Sequence, residues 1–287
     1  MLLNKSAVAL MQIEQMTSEN MRQANISDKE FAQFQTMIYR PAGISMSPAK
    51  KPLVTSRLAK RLTHLSLGSY GDYFDLINQG NPAELQTAID LLTTNETHFF
   101  REPKHFDFLR DKVLPLHRAG RPFRVWSAAG SSGEEPYSIA MLLADRLGEV
   151  PWEVIGSDIS TRVLTRARSG HYPMERAHEI PQPYLTRFCL KGTGSQEGTF
   201  LISKGLRDKV QFKQINLIEP FPQMGEFDVI FLRNVMIYFD QPTKAHLVSR
   251  MLPLLRSSGY FFVSHSETLN GVSNAYAIVA PSIYRKP

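Results

Sequence analysis

One stretch near the middle of the chain constrains the fold more than any other: Val125–Tyr137, which reads VWSAAGSSGEEPY. Val125 and Trp126 close a short apolar run that is typical of a buried strand, and residues with small side chains then follow from Ala128 to Gly133. A helical pattern begins directly afterwards, because apolar residues recur at helical spacing at Ile139, Leu142, Leu143 and Leu147. A strand, a turn of small residues and a helix bring the backbone close to a nucleotide-like ligand at the helix N-terminus.

The acidic residues in this turn narrow the choice of ligand. Glu134 and Glu135 stand where a pyrophosphate would lie in a dehydrogenase, and the turn has no GxGxxG pattern. A ligand with an amino group, ribose hydroxyls or a cationic centre would be attracted instead. The alternative is a tight turn whose acids only complement the helix dipole.

Composition excludes several classes of protein. The only cysteine, Cys189, cannot form an internal disulfide and suits a reducing cytoplasm. The most apolar segment, Phe227–Phe239, is interrupted by Arg233 and Asn234 and is shorter than the ~20 residues of a membrane span. The net charge of +6 and the isoelectric point near 9.4 predict an acidic partner, with nucleic acid among the candidates.

The positive charge is concentrated near the N-terminus. No acidic residue occurs between Glu30 and Asp72. On a helix predicted to begin near Pro48, a basic face is formed by Arg57, Lys60 and Arg61. This face is either a solvated surface or a docking surface for an acidic helix or for nucleic acid.

The pattern along the chain predicts two kinds of domain. After an N-terminal extension (1–26), a capping box at Ser27 and Glu30 opens a run of helical patterns that continues to His117, so we expect a small all-helical domain over 27–117. A short linker (118–122) follows. Strands and helices then alternate over 123–287, which predicts a doubly wound, mostly parallel α/β sheet. A hairpin-like β-insertion interrupts it at about 171–205, with strands expected at 186–190 and 199–203.

Polar residues directly follow the predicted strands of this sheet. Asp158, Asn216, Arg233 and Asn234 each end an apolar run, and ligands bind beyond the carboxyl ends of strands in such sheets. Asp158 is placed to accept the ribose hydroxyls or to cap the helix near Ser160. Asn216 is placed to read an adenine edge or to form a turn. Together these ends favour an adenosine-containing ligand that is not strongly anionic, and S-adenosylmethionine fits.

Three segments resemble a known family. TTNETHFFREPKHF (93–106), WSAAGSSGEEPYSIA (126–140) and FDVIFLRNVMIYFD (227–240) closely resemble the chemotaxis-receptor glutamate methyltransferases. The resemblance covers residues 27 to 287. It implies a small helical N-terminal domain, a doubly wound S-adenosylmethionine-dependent catalytic domain and an inserted small antiparallel β-subdomain.

The resemblance also implies the site residues. Arg101 and Tyr238 match the residues beside the transferred methyl group, where the alternatives are a surface ion pair of Arg101 with Glu102 or Asp107 and a core position for Tyr238. No metal is expected. The implied contacts to S-adenosylmethionine, or to its product S-adenosylhomocysteine, are Asn95, Thr97, Arg101, Glu135, Asp158, Asn216, Leu217, Leu232, Arg233 and Asn234.

The implied activity is methyl transfer to glutamate side chains of chemotaxis receptors in the cytoplasm. The partners are then acidic receptor helices at the basic face of Arg57, Lys60 and Arg61, and a receptor tail at the β-subdomain, with no nucleic acid and no membrane insertion. The rival interpretations are a nucleic-acid methyltransferase, which also explains the isoelectric point, and a non-catalytic S-adenosylmethionine sensor, which would not need Arg101 and Tyr238. A dehydrogenase fits the turn least well.

Overall fold

The computed structural model describes residues 25–117 and 120–287, so most of the predicted extension (1–26) and two residues of the predicted linker (118–122) lie outside it. The chain divides into two compact units, Met1–Thr93 and Thr94–Pro287. This division differs from the predicted boundary at 117. Residues 94–117 belong to the second unit, because Phe99, Phe106 and Leu109 are buried in the apolar cluster that includes Val125. Helical periodicity shows that a helix has an apolar face but not which core that face joins.

The described part of the first unit consists of helices, as predicted. Ser27 caps the first helix, and both reciprocal hydrogen bonds of the capping box with Glu30 are present. Phe34, Tyr73 and Leu58 are among the side chains that fill the core. The helices are α1 (Asp28–Ala42), α2 (Lys51–His64), α3 (Tyr70–Asn78) and α4 (Pro82–Leu92), with a 3₁₀ turn at Pro48–Lys50.

The second unit opens with the helix α5 (Pro103–Phe108), which continues as a π turn (Leu109–Val113) and a 3₁₀ turn (Leu114–Leu116). Strands and helices then alternate. The strands are β1 (Phe123–Ser127), β2 (Trp152–Asp158), β3 (His171–Pro173), β4 (Cys189–Lys191), β5 (Thr199–Ile202), β6 (Val210–Gln214), β7 (Phe227–Phe231), β8 (Leu255–Phe262), β9 (Ala277–Ala280) and β10 (Ile283–Arg285). The further helices are α6 (Glu134–Leu147), α7 (Thr161–Ser169), α8 (Gln182–Phe188), α9 (Lys204–Arg207) and α10 (Gln241–Met251).

Seven of the strands form the large sheet, in the order β6-β2-β1-β7-β8-β10-β9. The first five of this order are parallel, and β10 pairs antiparallel with β8 and with β9. The predicted mostly parallel sheet is therefore confirmed. The carboxyl ends of β6, β2, β1 and β7 are neighbours along one edge, which is where the predicted site residues follow their strands.

Both faces of the large sheet are covered. Along β7, Val229 and Phe231 lie in one apolar cluster, whereas Ile230 and the following Leu232 lie in another. Side chains alternate between the faces of a strand, so the two clusters are the two cores on either side of the sheet. This burial on both faces explains the continuous apolar sequence of β7 and makes the sheet doubly wound.

The predicted insertion forms a three-stranded antiparallel sheet in the order β3-β5-β4. One predicted strand is partly wrong. Residues 186–188 complete the helix α8, and β4 covers only Cys189–Lys191. Tyr184, Leu185 and Phe188 pack against the core at helical spacing, and this contact overrides the local preference for a strand. Among the helices that the structure describes, none combines the length and apolar character needed to span a bilayer.

Candidate active site

The turn after β1 depends on two glycines. At Gly130, an added Cβ would lie 2.8 Å from Cγ of Pro136. At Gly133, φ is +99°, and an added Cβ would lie 2.7 Å from the hydroxyl of Tyr172. Between them, Ser131 adopts φ of +49°, which is uncommon for a residue with a side chain. The small residues that mark this turn in the sequence are therefore required by its close packing.

Asp158, at the end of β2, holds the turn in place. Its Oδ2 accepts a hydrogen bond from the backbone N–H of Ser131 at 3.0 Å, and its Oδ1 accepts one from the backbone N–H of Ser160 at 2.9 Å. Ser160 is itself the N-cap of α7. The cap of α7 is thus Ser160, whose hydroxyl accepts from the backbone N–H of Val163, and Asp158 holds that residue without capping the helix itself. A carboxylate has about four acceptor positions, so these bonds are compatible with a role toward ribose hydroxyls as well.

Glu135 and Arg233 form a buried ion pair between the start of α6 and the end of β7. Nη1 of Arg233 lies 2.7 Å from Oε2 of Glu135, while the hydroxyl of Ser127 donates to Oε1 at 2.7 Å. The other terminal nitrogen of Arg233, Nη2, donates to the carbonyl of Arg101 and lies 3.2 Å from the carboxylate of Glu102. Burial raises the pKa of Glu135, although Arg233 opposes the shift. Two carboxylates thus share one arginine, and when both are ionised the three groups carry a formal charge of −1 that a cationic ligand would neutralise.

Glu134 has a different role from the one predicted for the acids of the turn. Its side chain is fully buried, and it accepts a hydrogen bond from the hydroxyl of Ser132 at 2.7 Å. Arg176, from the β-insertion, lies 3.2 Å from the Glu134 carboxylate and donates to the carbonyl of Thr97 at 2.7 Å. Burial raises the pKa of Glu134. Glu134 therefore stabilises the connection between the turn and the insertion. Of the two acids, only Glu135 remains a candidate for contact with the ligand.

The segment before α5 reaches the same turn. The hydroxyl of Ser131 donates to the carbonyl of Asn95 at 2.9 Å, and the guanidinium of Arg101 donates to the carbonyl of Glu96 at 3.0 Å. The predicted alternative for Arg101, a surface ion pair, is not formed: the structure pairs Glu102 with Arg233 and pairs Asp107 with Arg110.

The ends of β6 and β7 supply the remaining predicted residues. Asn216 accepts a hydrogen bond at Oδ1 from the backbone N–H of Ile218 at 3.3 Å, which is the turn-forming alternative for this residue. Its neighbour Leu217 is buried. Leu232 is fully buried, and Asn234 adopts φ of +58°. Tyr238 ends the 3₁₀ turn Met236–Tyr238 and is half-buried, so it is not a core aromatic.

Two of the three residues of the predicted docking face are used within the first unit. Arg57 donates to the carbonyls of Leu92 and Thr93 at 2.8 and 3.0 Å. Arg61 forms a two-pronged ion pair with Glu84. Lys60 is exposed. The predicted basic face thus consists of two arginines that bind groups within the first unit and one exposed lysine.

A further group of charged side chains was missed by sequence reasoning. Glu102, His105 and His265 place metal-ligating atoms within 4.8 Å of one another. Burial, with Arg233 and His265, lowers the pKa of His105 to about 3. Because the guanidinium of Arg233 lies 3.2 Å from the same Glu102 oxygen, a metal ion would bind against strong repulsion. We therefore assign Glu102 to Arg233. The sequence signal was only that Glu102 and His105 lie within the quoted FFREPKHF segment.

Comparisons with known proteins agree with this architecture. Residues 95–284 match the family described as "CheR methyltransferase, SAM binding domain", and residues 29–93 match "CheR methyltransferase, all-alpha domain". Chemotaxis protein methyltransferase 2 of Pseudomonas aeruginosa is 46% identical over 259 residues, which cover 89% of this chain and 92% of that protein.

Two further relatives extend the comparison. The chemotaxis protein methyltransferase of Escherichia coli is 41% identical over 263 residues, covering 90% of this chain and 91% of that protein. That of Borreliella burgdorferi is 38% identical over 275 residues, covering 91% and 95%. The matches span both units in the order in which they occur here. The chain therefore belongs to the CheR family of S-adenosylmethionine-binding chemotaxis methyltransferases.

Proposed function

We propose that this protein transfers a methyl group from S-adenosylmethionine to glutamate side chains of chemotaxis receptors and forms glutamyl methyl esters. The observation that carries the proposal is the unbalanced network in which Glu135 and Glu102 share the single guanidinium of Arg233. A negative site at the carboxyl edge of the sheet suits a ligand that carries a sulfonium and an ammonium group. The names of the relatives supply the connection to chemotaxis.

Different residues of the site would contact different parts of the cofactor. Asp158 would accept the ribose hydroxyls, and Asn216 and Leu217 would contact the adenine. Glu135, with Asn95 and Thr97, would hold the methionine part, while the β7 end at Leu232–Asn234 would close the pocket. These assignments follow the family's pattern, and the hydrogen bonds of Ser131 support them because they join Asp158 and Asn95 to one turn.

The acceptor needs alignment more than activation. A glutamate carboxylate with a reference pKa of ~4.3 is already ionised at neutral pH, so no general base is required. Its oxygen forms a bond to the methyl carbon as the bond from carbon to sulfur breaks. The products are a neutral ester and a neutral thioether. Arg101 would steer the carboxylate, and Tyr238 would orient one oxygen or line the sulfonium pocket.

Two surfaces are proposed for receptor docking. The exposed Lys60, with its neighbours on α2, would attract acidic helices of the cytoplasmic receptor region. The edge strand β4 pairs with β5 on one side, and Leu190 on it is 58% exposed. A receptor tail could add a strand to this edge, since unpaired strand edges accept extended peptides.

The chemistry of the product tests the function. The protein should be incubated with S-adenosylmethionine labelled in its methyl group and with a receptor cytoplasmic fragment, and the fragment should then be treated with mild alkali. We expect labelled methanol, because esters hydrolyse under these conditions. Label that survives alkali, or that requires added nucleic acid, would reject a carboxylate acceptor. Cofactor binding without any transfer would favour the sensor interpretation.

The pH dependence gives an independent check. The single-turnover rate should rise as the substrate carboxylate ionises and should then stay level through neutral pH, because arginine stays charged and a tyrosine titrates only near ~10. A steep rise between about pH 7 and 9 in folded protein would indicate a catalytic base and another acceptor.

A further inference from the structure

The segment between β7 and α10 carries Asn234 and Tyr238 but has little regular structure of its own. Within it, the backbone N–H of Tyr238 donates to the carbonyl of Val235 at 3.1 Å, and that of Phe239 donates to the carbonyl of Met236 at 3.0 Å. Asn234 has φ of +58°, in the left-handed region that asparagine adopts more readily than most residues with a side chain. Because the segment has so few hydrogen bonds of its own, contacts from outside it are needed to keep it in this shape.

Those contacts come from Glu267, in the loop after β8. Its Oε2 accepts hydrogen bonds from the backbone N–H of Asn234 at 2.9 Å and from the backbone N–H and hydroxyl of Ser264 at 2.9 and 2.7 Å. Its Oε1 accepts one from the backbone N–H of Ile237 at 3.2 Å. The residue is 9% exposed, and all four donors are neutral. The buried carboxylate of Glu267 thus connects the loop after β8 to two backbone N–H groups of the segment between β7 and α10.

We propose that Glu267 is a positioning residue for methyl transfer. Through Oε2 it fixes Asn234, on the cofactor side of the loop. Through Oε1 it fixes Ile237 and hence the adjoining Tyr238, on the side of the transferred methyl group. This inference rests on the proposed function, because that proposal gives Asn234 and Tyr238 their roles.

The two oxygens make the inference testable with a nearly isosteric change. In Glu267→Gln, the amide oxygen can replace Oε2 and keep the bonds from Asn234 and Ser264. The amide NH₂ group then faces the N–H of Ile237, so that bond is lost and two donors oppose each other. Glu267→Ala removes all four bonds. The Gln variant should therefore disturb Tyr238 more than the cofactor, whereas the Ala variant should disturb both.

A buried carboxylate on β7, the strand that leads into this segment, provides the matched control. Asp228 lies near the other end of β7, where it accepts from the backbone N–H of Arg124 and pairs with Arg121 and Arg256. Asp228→Asn should lower the melting temperature without moving the loop after β7. This control distinguishes the effect of lower overall stability from the effect of a displaced loop after β7.

The experiment compares wild type, Glu267→Gln, Glu267→Ala and Asp228→Asn. Calorimetry gives the Kd for S-adenosylmethionine, single-turnover transfer with saturating receptor fragment gives the rate, and hydrogen exchange follows the amides of 234–238. For Glu267→Gln we expect a rate loss of about 10- to 100-fold, in line with a displacement of ångström size at the reacting centre. Its Kd should stay within about threefold of the wild-type value. Glu267→Ala should weaken both, and Asp228→Asn neither.

Two outcomes would overturn the proposal. One is a Glu267→Gln variant that keeps the wild-type rate, and the other is an equal loss of rate in Glu267→Gln and Asp228→Asn at matched stability. If wild type itself forms no alkali-labile ester, the proposed function fails. The positioning role is then judged from amide exchange in 234–238 and from cofactor affinity, and unchanged values in both Glu267 variants reject it.

Discussion

Glu84 in the N-terminal unit and Glu135 in the C-terminal unit each pair with an arginine, at 2.5 and 2.7 Å, yet their pKa values move in opposite directions. The ion pair with Arg61, aided by a hydrogen bond from the hydroxyl of Tyr73, lowers the pKa of Glu84. Burial raises the pKa of Glu135 despite Arg233. Distance alone does not decide the balance between attraction and desolvation.

The two pairs also differ in how fully their charges are balanced. Arg61 is matched with one carboxylate, and the pair closes a core of small helices. Arg233 is divided between Glu135, Glu102 and the carbonyl of Arg101, and its buried Nε has no hydrogen-bond partner among the described residues. A balanced buried pair is typical of structure, whereas an unbalanced one is typical of a site that awaits a charged ligand.

The largest effect is expected in the balanced pair. Arg61→Ala should lower the free energy of unfolding by about 3 kcal/mol, because it leaves the 7%-exposed carboxylate of Glu84 without its cation. Urea denaturation measures the loss. Lys60→Ala, one position earlier on the exposed side of α2, is the control and should change stability by less than ~0.5 kcal/mol. Equal stability of the two variants would show that Arg61 belongs to a solvated face after all.

The next largest effect concerns the candidate active site of the second unit. Asp158→Ala should weaken binding of S-adenosylmethionine by about 2 kcal/mol, or roughly 30-fold in Kd, because it removes charge-assisted hydrogen bonds. It also releases the N–H groups of Ser131 and Ser160, so stability should fall as well.

Ser157→Ala is the control for that second contribution. The hydroxyl of Ser157 accepts from the indole of Trp126 and donates to the carbonyl of Ala128, at the start of the turn after β1. Its removal should therefore disturb this turn without removing a group that contacts the cofactor. The turn alone would account for the effect of Asp158→Ala if both variants lost affinity equally in calorimetry.

Part of the candidate site could be predicted from the sequence, and the reasons differ from residue to residue. Asp158 and Asn234 are predicted site residues because each follows an apolar run, and the parallel strands β2 and β7 do end at the same edge of the sheet. Glu267 was missed because it acts on backbone N–H groups 30 and more positions away, and no local pattern marks such a contact.

The fold shows the same limit. The mostly parallel sheet followed from alternating strand and helix patterns, but α5 was placed in the wrong core and 186–188 in a strand, because tertiary packing decides both. The sequence predicted one basic face over Arg57 and Arg61, because helical spacing shows which side chains share a face of the helix. It does not show which groups those side chains contact. Glu84 and the carbonyls that use these arginines come from residues about 23 to 36 positions later.

A smaller effect separates charge from contact at Glu135. Glu135→Gln should weaken S-adenosylmethionine by about tenfold more than S-adenosylhomocysteine, since only the former carries the sulfonium charge. Calorimetry with both ligands measures the ratio. Equal weakening would mean that Glu135 contacts the shared amino group and that the negative charge of the network is not used for the sulfonium.

The same variant should be more stable than wild type without ligand. A carboxyl whose folded pKa is raised contributes stability below its unfolded pKa of ~4.3 and loses that contribution as the pH rises through the folded value. At pH 7 the neutral amide resembles the protonated acid and avoids this loss. Urea denaturation at pH 7 should therefore show a gain for Glu135→Gln, and at pH 4 a smaller one. A loss of stability at pH 7 would show that Arg233 needs the charge of Glu135.

The smallest effect tests the docking face without breaking the first unit. Arg57 and Arg61 hold structure, so reversing them would confuse docking with unfolding, whereas Lys60 is exposed. Lys60→Glu should raise the KM for an acidic receptor fragment about twofold and flatten its dependence on salt, because exposed charges act over ~8–10 Å at physiological ionic strength. The Kd for S-adenosylmethionine should not change. Lys112→Glu, an equal charge reversal at an exposed lysine of the second unit, controls for net charge. If both reversals change the salt dependence equally, the receptor responds to the overall charge of the protein, and α2 is not its docking surface.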